Sequence, residues 1–463
     1  MQAQQSYQPL KSDSLYNHLL LEETEKRLQY DIAKLSGPLE NQFAEVYKQR
    51  YYDLHAKINA RHFVSDERLN PYFQEIFQHL LASNPELNQP SPRLLISRYP
   101  QPNASCLGEG TIVLNLGLIH KLQNEGQVAF VLSHELAHHY LNHVNKAIAR
   151  HIEAYNSNYT RKRLKKASKQ KYNQKAEAMA VLKNLAYQQG RHSRQHEKSA
   201  DSLALHFLQK SRYSPSHSIS TLALLDTIDR HTNLAVPDLK STFHAEAYPF
   251  KEEWLMDEQN LSFGFNQINE FEADSLKTHP DCTRRINWVK EEIRSLSSIS
   301  RKHYIADSSQ FNKLKAICQN ELIESEYQLQ RYSRSLYLAL AMLQSTPEQS
   351  YLHTVVNKSL YQIYQAQKNH TFNEFVDMPS PYFTDGYNQL LNFVANLRLS
   401  EIARVAFHYA ENQSRLHHYD EEFLYSYILC SRIAGIEPSN TSLKDLYKKQ
   451  FPNGKYLKQI NQN

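Results

Sequence analysis

The stretch VLSHELAHHYLNH, residues 131–143, carries two histidines four positions apart, with a glutamate directly after the first. On a helix, residues four apart lie on the same face, so His134 and His138 can present two imidazoles to one metal ion. Glu135 can reach a water molecule at that ion and take its proton. A catalytic zinc site uses three protein ligands and one water, so this chemistry requires a third ligand from another part of the chain.

The segment HEKSAD, residues 196–201, offers that third ligand. Glu197 and Asp201 are again four positions apart, so a second helix presents both carboxylates on one face. Glu197 completes a site of two histidines and one carboxylate. We assign Asp201 to accept a hydrogen bond from a ligating imidazole, which fixes the orientation of that ring. Each pattern alone also occurs by chance or on solvated helix faces, so the prediction depends on finding both together.

Four further histidines lie near these two patterns. Histidine is a common residue in this chain, with 23 copies, so its presence here is not by itself evidence of metal binding. A solvated or packing role is favoured over ligation for each of the four, which are His139, His143, His192 and His196.

The elements that must position these residues follow from the hydrophobic pattern. Two short apolar runs, RLLISRYP (93–100) and TIVLNLG (111–117), predict strands. A helical period follows over Gln127–Asn145, with Asn124 as its N-cap, and another over Ser193–Lys210. Four of the ten glycines stand at positions 108, 110, 117 and 126, so the chain is expected to turn sharply just before the histidine helix.

The glycine content also predicts the fold class. Ten glycines in 463 residues indicate a helix-dominated fold, because strands, hairpins and tight turns consume glycine. We therefore predict a mainly α protein, with an α+β catalytic domain containing a small sheet over residues 1–300 and an all-helical, repeat-like domain over 301–463. Paired apolar stretches in the second domain suggest tetratricopeptide-like units, although the usual glycine, alanine and proline pattern of such units is missing.

Composition excludes several classes of protein. A hydrophobic content of 41% with 22% charged residues is ordinary for a soluble globular protein, and no run approaches the roughly 18 apolar residues of a membrane-spanning helix. The net charge of +5 does not indicate a nucleic-acid partner. The four cysteines form no Cys-x-x-Cys pair, which excludes a zinc ribbon and a dense disulfide scaffold.

The start of the sequence leaves two compartments open. MQAQQSYQPLKSDSLYNHLL has no cationic region followed by an apolar run, so it contains no export signal as written. Its polar, glutamine-rich character is that of a mature exported terminus, which favours a periplasmic or otherwise exported protein whose leader was removed. The alternative is a cytoplasmic protein.

Residues 90–290 or so resemble the HtpX-like and CAAX prenyl protease type I family of gluzincin zinc metallopeptidases. Four segments occur in the order of that family: Pro102–Ile119, Val128–His143, Arg194–Leu205 and Thr278–Ile286. Because the sequence has no apolar span, the comparison is with the soluble branch, some of whose members append helical repeats and act on envelope proteins. The resemblance implies a gluzincin-type catalytic domain followed by a helical domain.

The resemblance also implies roles for particular residues. His134, His138 and Glu197 match the family's ligands for one zinc ion per chain, and Glu135 matches its general base. These are the same four residues that the spacing of the two patterns selects.

Two residues of the segment THPDCTRRI, 278–286, match further family positions. His279 matches a histidine near the metal, which either donates a hydrogen bond to the developing oxyanion or approaches the zinc as an additional ligand. A capping or packing role is the alternative for His279. Arg285 matches the arginine that follows His-Pro, and it is expected to form a structural ion pair.

A polypeptide substrate of such an enzyme must be extended, and TIVLN (111–115) is expected to pair with it as an added strand. The residues expected to bind the substrate are Asn103, Ala104, Thr111, Ile112, Val113 and Leu114. The predicted function is a zinc-dependent endopeptidase that hydrolyses extended, unfolded or misassembled proteins in envelope quality control. The alternative is a degenerate peptidase that binds proteins through its C-terminal helices, in the manner of a chaperone.

Two further surfaces have two readings each. The basic stretch Lys146–Arg191 is either a solvated segment over the groove or an electrostatic dock for acidic protein, lipid or a membrane surface. Its lysines lack the interleaved aromatic residues of a single-strand binder, so nucleic acid is not the expected partner. The tyrosine-rich C-terminal helices either pack against each other or offer a concave surface to a protein partner.

Overall fold

The computed structural model describes residues 7–88, 91–157, 194–227, 236–256, 282–296, 308–380, 383–416, 420–438 and 442–461. His279 and residues 158–191 of the basic stretch lie outside the described residues. The expectations for them stay predictions.

Helices dominate the described residues, and three short strands accompany them. The strands are β1 (Arg93–Ser97), β2 (Ala104–Cys106) and β3 (Thr111–Asn115). The helices up to residue 296 are α1 (Ser14–Ala33), α2 (Glu40–Asn59), α3 (Asn70–Ser83), α4 (Leu116–Lys121), α5 (Glu125–Tyr140), α6 (His143–Asn156), α7 (194–210), α8 (His217–Thr227), α9 (Leu239–Phe243) and α10 (Cys282–Ser295). The later helices are α11 (Ser308–Gln328), α12 (Tyr332–Leu343), α13 (Ser350–Lys368), α14 (Phe372–Phe375), α15 (Asp385–Asn396), α16 (Leu399–Leu416), α17 (Glu421–Ala434), α18 (Leu443–Gln450) and α19 (Leu457–Asn461). The prediction of a mainly α fold with a small sheet is confirmed.

The chain folds into two compact units that alternate along the sequence. The site unit comprises Leu10–Asp229 and Gln267–Gln319. The helical unit comprises Met1–Pro9, Arg230–Asn266 and Asn320–Asn463. The expected domains 1–300 and 301–463 stay a prediction, because compactness alone does not show which segments fold independently.

The sheet of the site unit has the strand order β1-β3-β2. β1 pairs with β3 in parallel, and β2 pairs with β3 antiparallel. The segment around His62 and Val64 continues beyond β1, since the Val64 amide donates to the Ile96 carbonyl at 2.9 Å. Among the described residues, the edge beyond β2 is therefore the one that no neighbouring strand pairs.

This order corrects the expected substrate strand. The segment Thr111, Ile112, Val113 and Leu114 lies in β3, the central strand, and both of its edges are already paired. An extended substrate cannot form a ladder with it. The expectation placed the added strand one position too far inside the sheet, because alternation along a strand does not reveal which neighbours it has.

The backbone N–H and C=O groups of successive residues in β2 point alternately towards β3 and towards the outer edge. The Asn115 amide donates to the Asn103 carbonyl at 3.0 Å, and the Leu107 amide donates to the Thr111 carbonyl at 2.8 Å. Antiparallel ladders pair every second residue in this way. The backbone N–H and C=O groups of Ala104 and Cys106 consequently point away from β3, towards the outer edge.

Helix α5 begins where the sequence predicted and ends earlier. The side chain of Asn124 accepts a hydrogen bond from the Gln127 amide at 3.0 Å, which confirms the predicted N-cap. The predicted helix over Gln127–Asn145, however, is broken after Tyr140. Asn142 has a φ of 55°, in the left-handed region, and α6 starts in a new direction at His143.

The N-terminal end of α5 is held by buried contacts. Glu125 accepts hydrogen bonds from the Tyr72 hydroxyl at 2.7 Å and from the Tyr213 hydroxyl at 2.5 Å. Gly126 lies so close to α8 that an added Cβ would be 2.2 Å from Cδ2 of His217. Only glycine allows this approach, so the sequence fixes the packing of α5 against α8 at this position.

The helical unit has its own core. Helix α13 packs against α12, α16 and α17, and its residues Leu352, Val356 and Leu360 are buried. The N-terminal segment Met1–Pro9 also belongs to this unit. Within it, the Tyr7 hydroxyl donates to Oε2 of Glu321 at 2.6 Å. Within the described ranges, no helix has the length and apolar content needed to cross a membrane.

Candidate metal centre

Two histidines of α5 and one glutamate of α7 converge in the site unit. Nε2 of His134 lies 3.0 Å from Nε2 of His138. The two carboxylate oxygens of Glu197 lie 3.4 Å from Nε2 of His134 and 3.3 Å from Nε2 of His138. These are the three residues that spacing and resemblance selected as ligands.

The donor atoms have the spacing of ligands around one zinc ion. In a tetrahedral site with bonds of about 2.0–2.1 Å, neighbouring ligand atoms are about 3.3 Å apart. The measured separations of 3.0, 3.3 and 3.4 Å fall around that value. Two imidazoles and one carboxylate also form the donor set of a catalytic zinc site, so the residues present fit this metal.

A buried ion-pair network holds the ligands from behind. Nδ1 of His134 lies 3.0 Å from Oδ1 of Asp201. Arg285, on α10, donates from Nε and Nη2 to the two oxygens of Asp201, each at 2.7 Å. Its Nη1 lies 2.9 Å from Oε2 of Glu197. Thus Asp201 lies beside the ring of His134, and Arg285 is the ion-pair partner of both carboxylates.

For two groups of this network, neighbouring charges and hydrogen bonds change the pKa more than burial does. Burial alone would lower the pKa of His134, but hydrogen bonds and charges from Asp201 and Glu197 raise it to about 9. Burial would raise the pKa of Asp201, but the charge and hydrogen bonds of Arg285 lower it instead. For His138 burial prevails, so its pKa falls below the ordinary histidine value.

Glu135 is buried on α5, next in sequence to His134 and on the side near β2. It is 3% exposed. Burial raises the pKa of the Cys106 thiol to about 12, and the negative charge of Glu135 adds to that increase. Glu135 therefore lies on the side of α5 that faces β2, close to any group bound along that strand.

The structure shows a contact of His143 that the sequence did not predict. His143 is 6% exposed, and its Nδ1 lies 3.0 Å from Nδ1 of His138. On one continuous helix, residues five apart differ by about 140° in direction, so they do not face one another. The turn at Asn142 removes that offset. The signal in the sequence was the position of His143 directly after Asn142, because asparagine tolerates the left-handed backbone of a sharp turn.

A cleft of about 600 Å³ lies between α2 and the face of the sheet that carries Asn103, Ser105 and Leu107. Ala104 and Cys106, which alternate with those residues along β2, face the other side. One face of β2 therefore borders the cleft, and the opposite face lies towards α5. The lining also includes His62 and the charged residues Arg50, Asp53 and Lys57.

Comparison with known proteins finds a similarity to one protein family. Residues 67–293 match the family model described as Peptidase family M48. The comparison with curated proteins returned no match. Peptidases of family M48 are zinc-dependent, and the matched segment contains both helices of the metal centre and the arginine behind it. Residues 67–293 of the chain are therefore similar to the zinc-dependent metallopeptidases of family M48.

Proposed function

We propose that this protein is a zinc-dependent endopeptidase that cleaves extended, unfolded or misassembled polypeptides. His134, His138 and Glu197 hold one zinc ion, and Glu135 is the general base. The observation that carries the proposal is the convergence of three ligand atoms, 3.0 to 3.4 Å apart, beside a buried glutamate.

The residues of the chain have separate tasks in this reaction. Bound zinc supplies Lewis acidity, which polarises the scissile carbonyl and makes water acidic enough to lose a proton near neutral pH. Glu135 accepts that proton and returns it to the leaving amine. Asp201 orients the ring of His134, and Arg285 keeps the Asp201 carboxylate ionised.

The substrate is proposed to lie along the outer edge of β2. Ala104 and Cys106 offer backbone N–H and C=O groups there, so an extended polypeptide can add a fourth strand. Its side chains would then alternate between the α5 side and the cleft beneath α2. Asn103, at the start of β2, is a further contact residue.

His279 keeps the two roles that the resemblance implies. It is proposed either to donate a hydrogen bond to the developing oxyanion or to approach the zinc as an additional ligand. Comparing zinc affinity and turnover of His279→Ala separates these roles. An oxyanion donor changes turnover alone, whereas a ligand changes both.

The proposed setting is protein quality control in a bacterial envelope, as in the soluble HtpX-like branch, with the cytoplasm as the alternative. A degenerate peptidase that acts as a binding module through its C-terminal helices is the competing function. A purely structural metal site needs no base. The buried Glu135 next to the ligands therefore favours the enzyme.

Glu135→Gln tests the proposal. We expect one zinc per chain in both the wild type and the variant, because Glu135 is not a ligand. Cleavage of casein should fall at least about 100-fold in the variant, since general-base catalysis typically contributes 10²–10⁴-fold. Glu153→Gln, an exposed position on α6, is the matched control and should cleave like the wild type. Equal cleavage by wild type and Glu135→Gln would contradict the assignment.

A separate variant tests ligation. Glu197→Ala removes one of three protein ligands, so zinc occupancy after dialysis should drop well below one per chain. Metal analysis of the purified protein measures this. Full occupancy in Glu197→Ala would show that another carboxylate holds the ion.

A further inference from the structure

We propose that His143 is a positioning residue for the metal ligand His138. In this arrangement His143 is neutral and accepts a hydrogen bond from Nδ1 of His138, which fixes the ring so that Nε2 points to the metal. The proposal rests on the proposed function, since it assumes that His138 binds zinc through Nε2.

The contacts of His143 form a short chain between the two helices of the site. Its Nδ1 lies 3.0 Å from Nδ1 of His138, and its Nε2 lies 3.2 Å from Oγ of Ser199 on α7. The Ser199 hydroxyl in turn lies 3.1 Å from the Gln195 carbonyl oxygen and 3.0 Å from that of His196. The chain therefore ends on the backbone of the helix that carries Glu197.

The hydrogen bonds at both ends of this series of contacts require the same direction of proton donation. A hydroxyl has one proton, and the carbonyl oxygens near Ser199 can only accept, so that proton is directed to the backbone. Ser199 then accepts from Nε2 of His143, and a neutral His143 has its lone pair on Nδ1. At the other end, a His138 that binds metal through Nε2 carries its proton on Nδ1 and donates it. The two requirements are met together by one tautomer of each ring.

A stacked ring holds His143 in this orientation. His196 lies parallel to it, with ring centroids 4.0 Å apart and planes inclined by 3°. Nη2 of Arg150 lies 3.1 Å from Nε2 of His196. Arginine only donates, so Nε2 of His196 accepts and that ring is neutral in this contact. The stack fixes the plane of His143 without an opposing charge.

The two histidine ligands are thus oriented by different groups. A carboxylate, Asp201, lies behind His134, and its charge is balanced by Arg285. Behind His138 the acceptor is a neutral imidazole, so it orients the ring without adding negative charge to the ligand shell. An ion with fewer negative charges around it is the stronger Lewis acid.

A set of His143 variants tests the proposal by metal affinity. Leucine and asparagine have similar shapes, but only asparagine presents an acceptor oxygen near the position of Nδ1. We expect His143→Leu to bind zinc about 10- to 100-fold more weakly in competition with a chelator, as for other residues behind metal ligands. His143→Asn should recover most of the affinity, and the visible spectrum of the Co²⁺-loaded protein should match the wild type for Asn and differ for Leu.

Two further variants keep the test decisive. His143→Gln places its amide one bond further out, so it should bind zinc more weakly than His143→Asn even if the leucine variant does not fold. Ser199→Ala removes only the second link and should weaken binding less than leucine does. Zinc affinity equal to that of the wild type in both His143→Leu and His143→Gln would overturn the role of the acceptor. Equal losses of zinc affinity in the Asn, Gln and Leu variants would overturn it as well. Absence of zinc binding by the wild type would overturn the metal site itself.

Discussion

At the scale of single residues, Arg285 is a buried cation that balances two carboxylates of the candidate metal centre. It is buried together with two carboxylates, both within 3 Å of its guanidinium nitrogens. Replacing a buried ion pair as a whole can be neutral, but removing one partner leaves an uncompensated charge in the interior. The carboxylates of Asp201 and Glu197 would be in that position without the arginine.

We therefore predict that Arg285→Met lowers the free energy of unfolding of the zinc-free protein by about 3–5 kcal/mol. Urea denaturation followed by circular dichroism measures this difference. Arg284→Met is the matched control, because Arg284 is adjacent and exposed, and it should change stability by less than about 0.5 kcal/mol. Similar stability of the two variants would show that the buried pair contributes little.

At the scale of elements, the pairing of β2 decides which of its backbone groups are directed to the outer edge of the sheet. The amide of Ala104 points to the free edge, whereas that of Ser105 takes part in the ladder with Val113. Proline is tolerated in an edge strand only where its missing N–H would face outwards. Neighbouring residues of β2 should therefore respond very differently to the same substitution.

We predict that Ala104→Pro retains zinc and the fold but reduces kcat/KM for an extended peptide about tenfold, the loss of roughly one hydrogen bond. Peptide cleavage assays and metal analysis measure the two properties. Ser105→Pro, the comparison, should instead lower the melting temperature, because it removes a bond of the β2–β3 ladder. Undiminished cleavage by Ala104→Pro would place the substrate elsewhere.

The elements also show what sequence reasoning reaches. Strands β1 and β3 follow from apolar runs and the start of α5 follows from an asparagine cap, and all three occur in the structure. Strand β2 is not predicted by such a run. The position of β3 in the centre of the sheet is a long-range property that its own residues do not encode. The same distinction separates His134 and His138, whose spacing on one helix is local, from His143, whose contact depends on a turn at Asn142.

At the scale of the whole molecule, a partly buried histidine outside the candidate metal centre links stability to pH. This residue is His120, which lies on α4 in the site unit. Burial, together with the charges of Lys121 and Lys315, lowers its pKa to about 4. In the unfolded chain its pKa is about 6.5. Below that pH the unfolded chain binds a proton that the folded protein does not, so acid favours unfolding.

The predicted stability of the wild type relative to His120→Gln is highest above pH 6.5 and is lost progressively as the pH falls to about 4. The difference amounts to at most about 3.4 kcal/mol, since one pKa unit corresponds to 1.36 kcal/mol. Urea titrations of both proteins at several pH values measure it. Parallel stability curves over that range would mean that His120 is protonated as easily in the folded protein as in the unfolded chain.

The first described residues and the last third of the chain share one unit, and this has a consequence for the order of assembly. Tyr7 meets Glu321 across 314 positions, and its ring lies 4.7 Å from that of Tyr351. A polypeptide emerges from the ribosome with its N-terminal end first, so Tyr7 appears before both of its partners. Synthesis of the intervening peptidase segment must therefore be complete before this contact can close, which makes it a late event in the maturation of the protein.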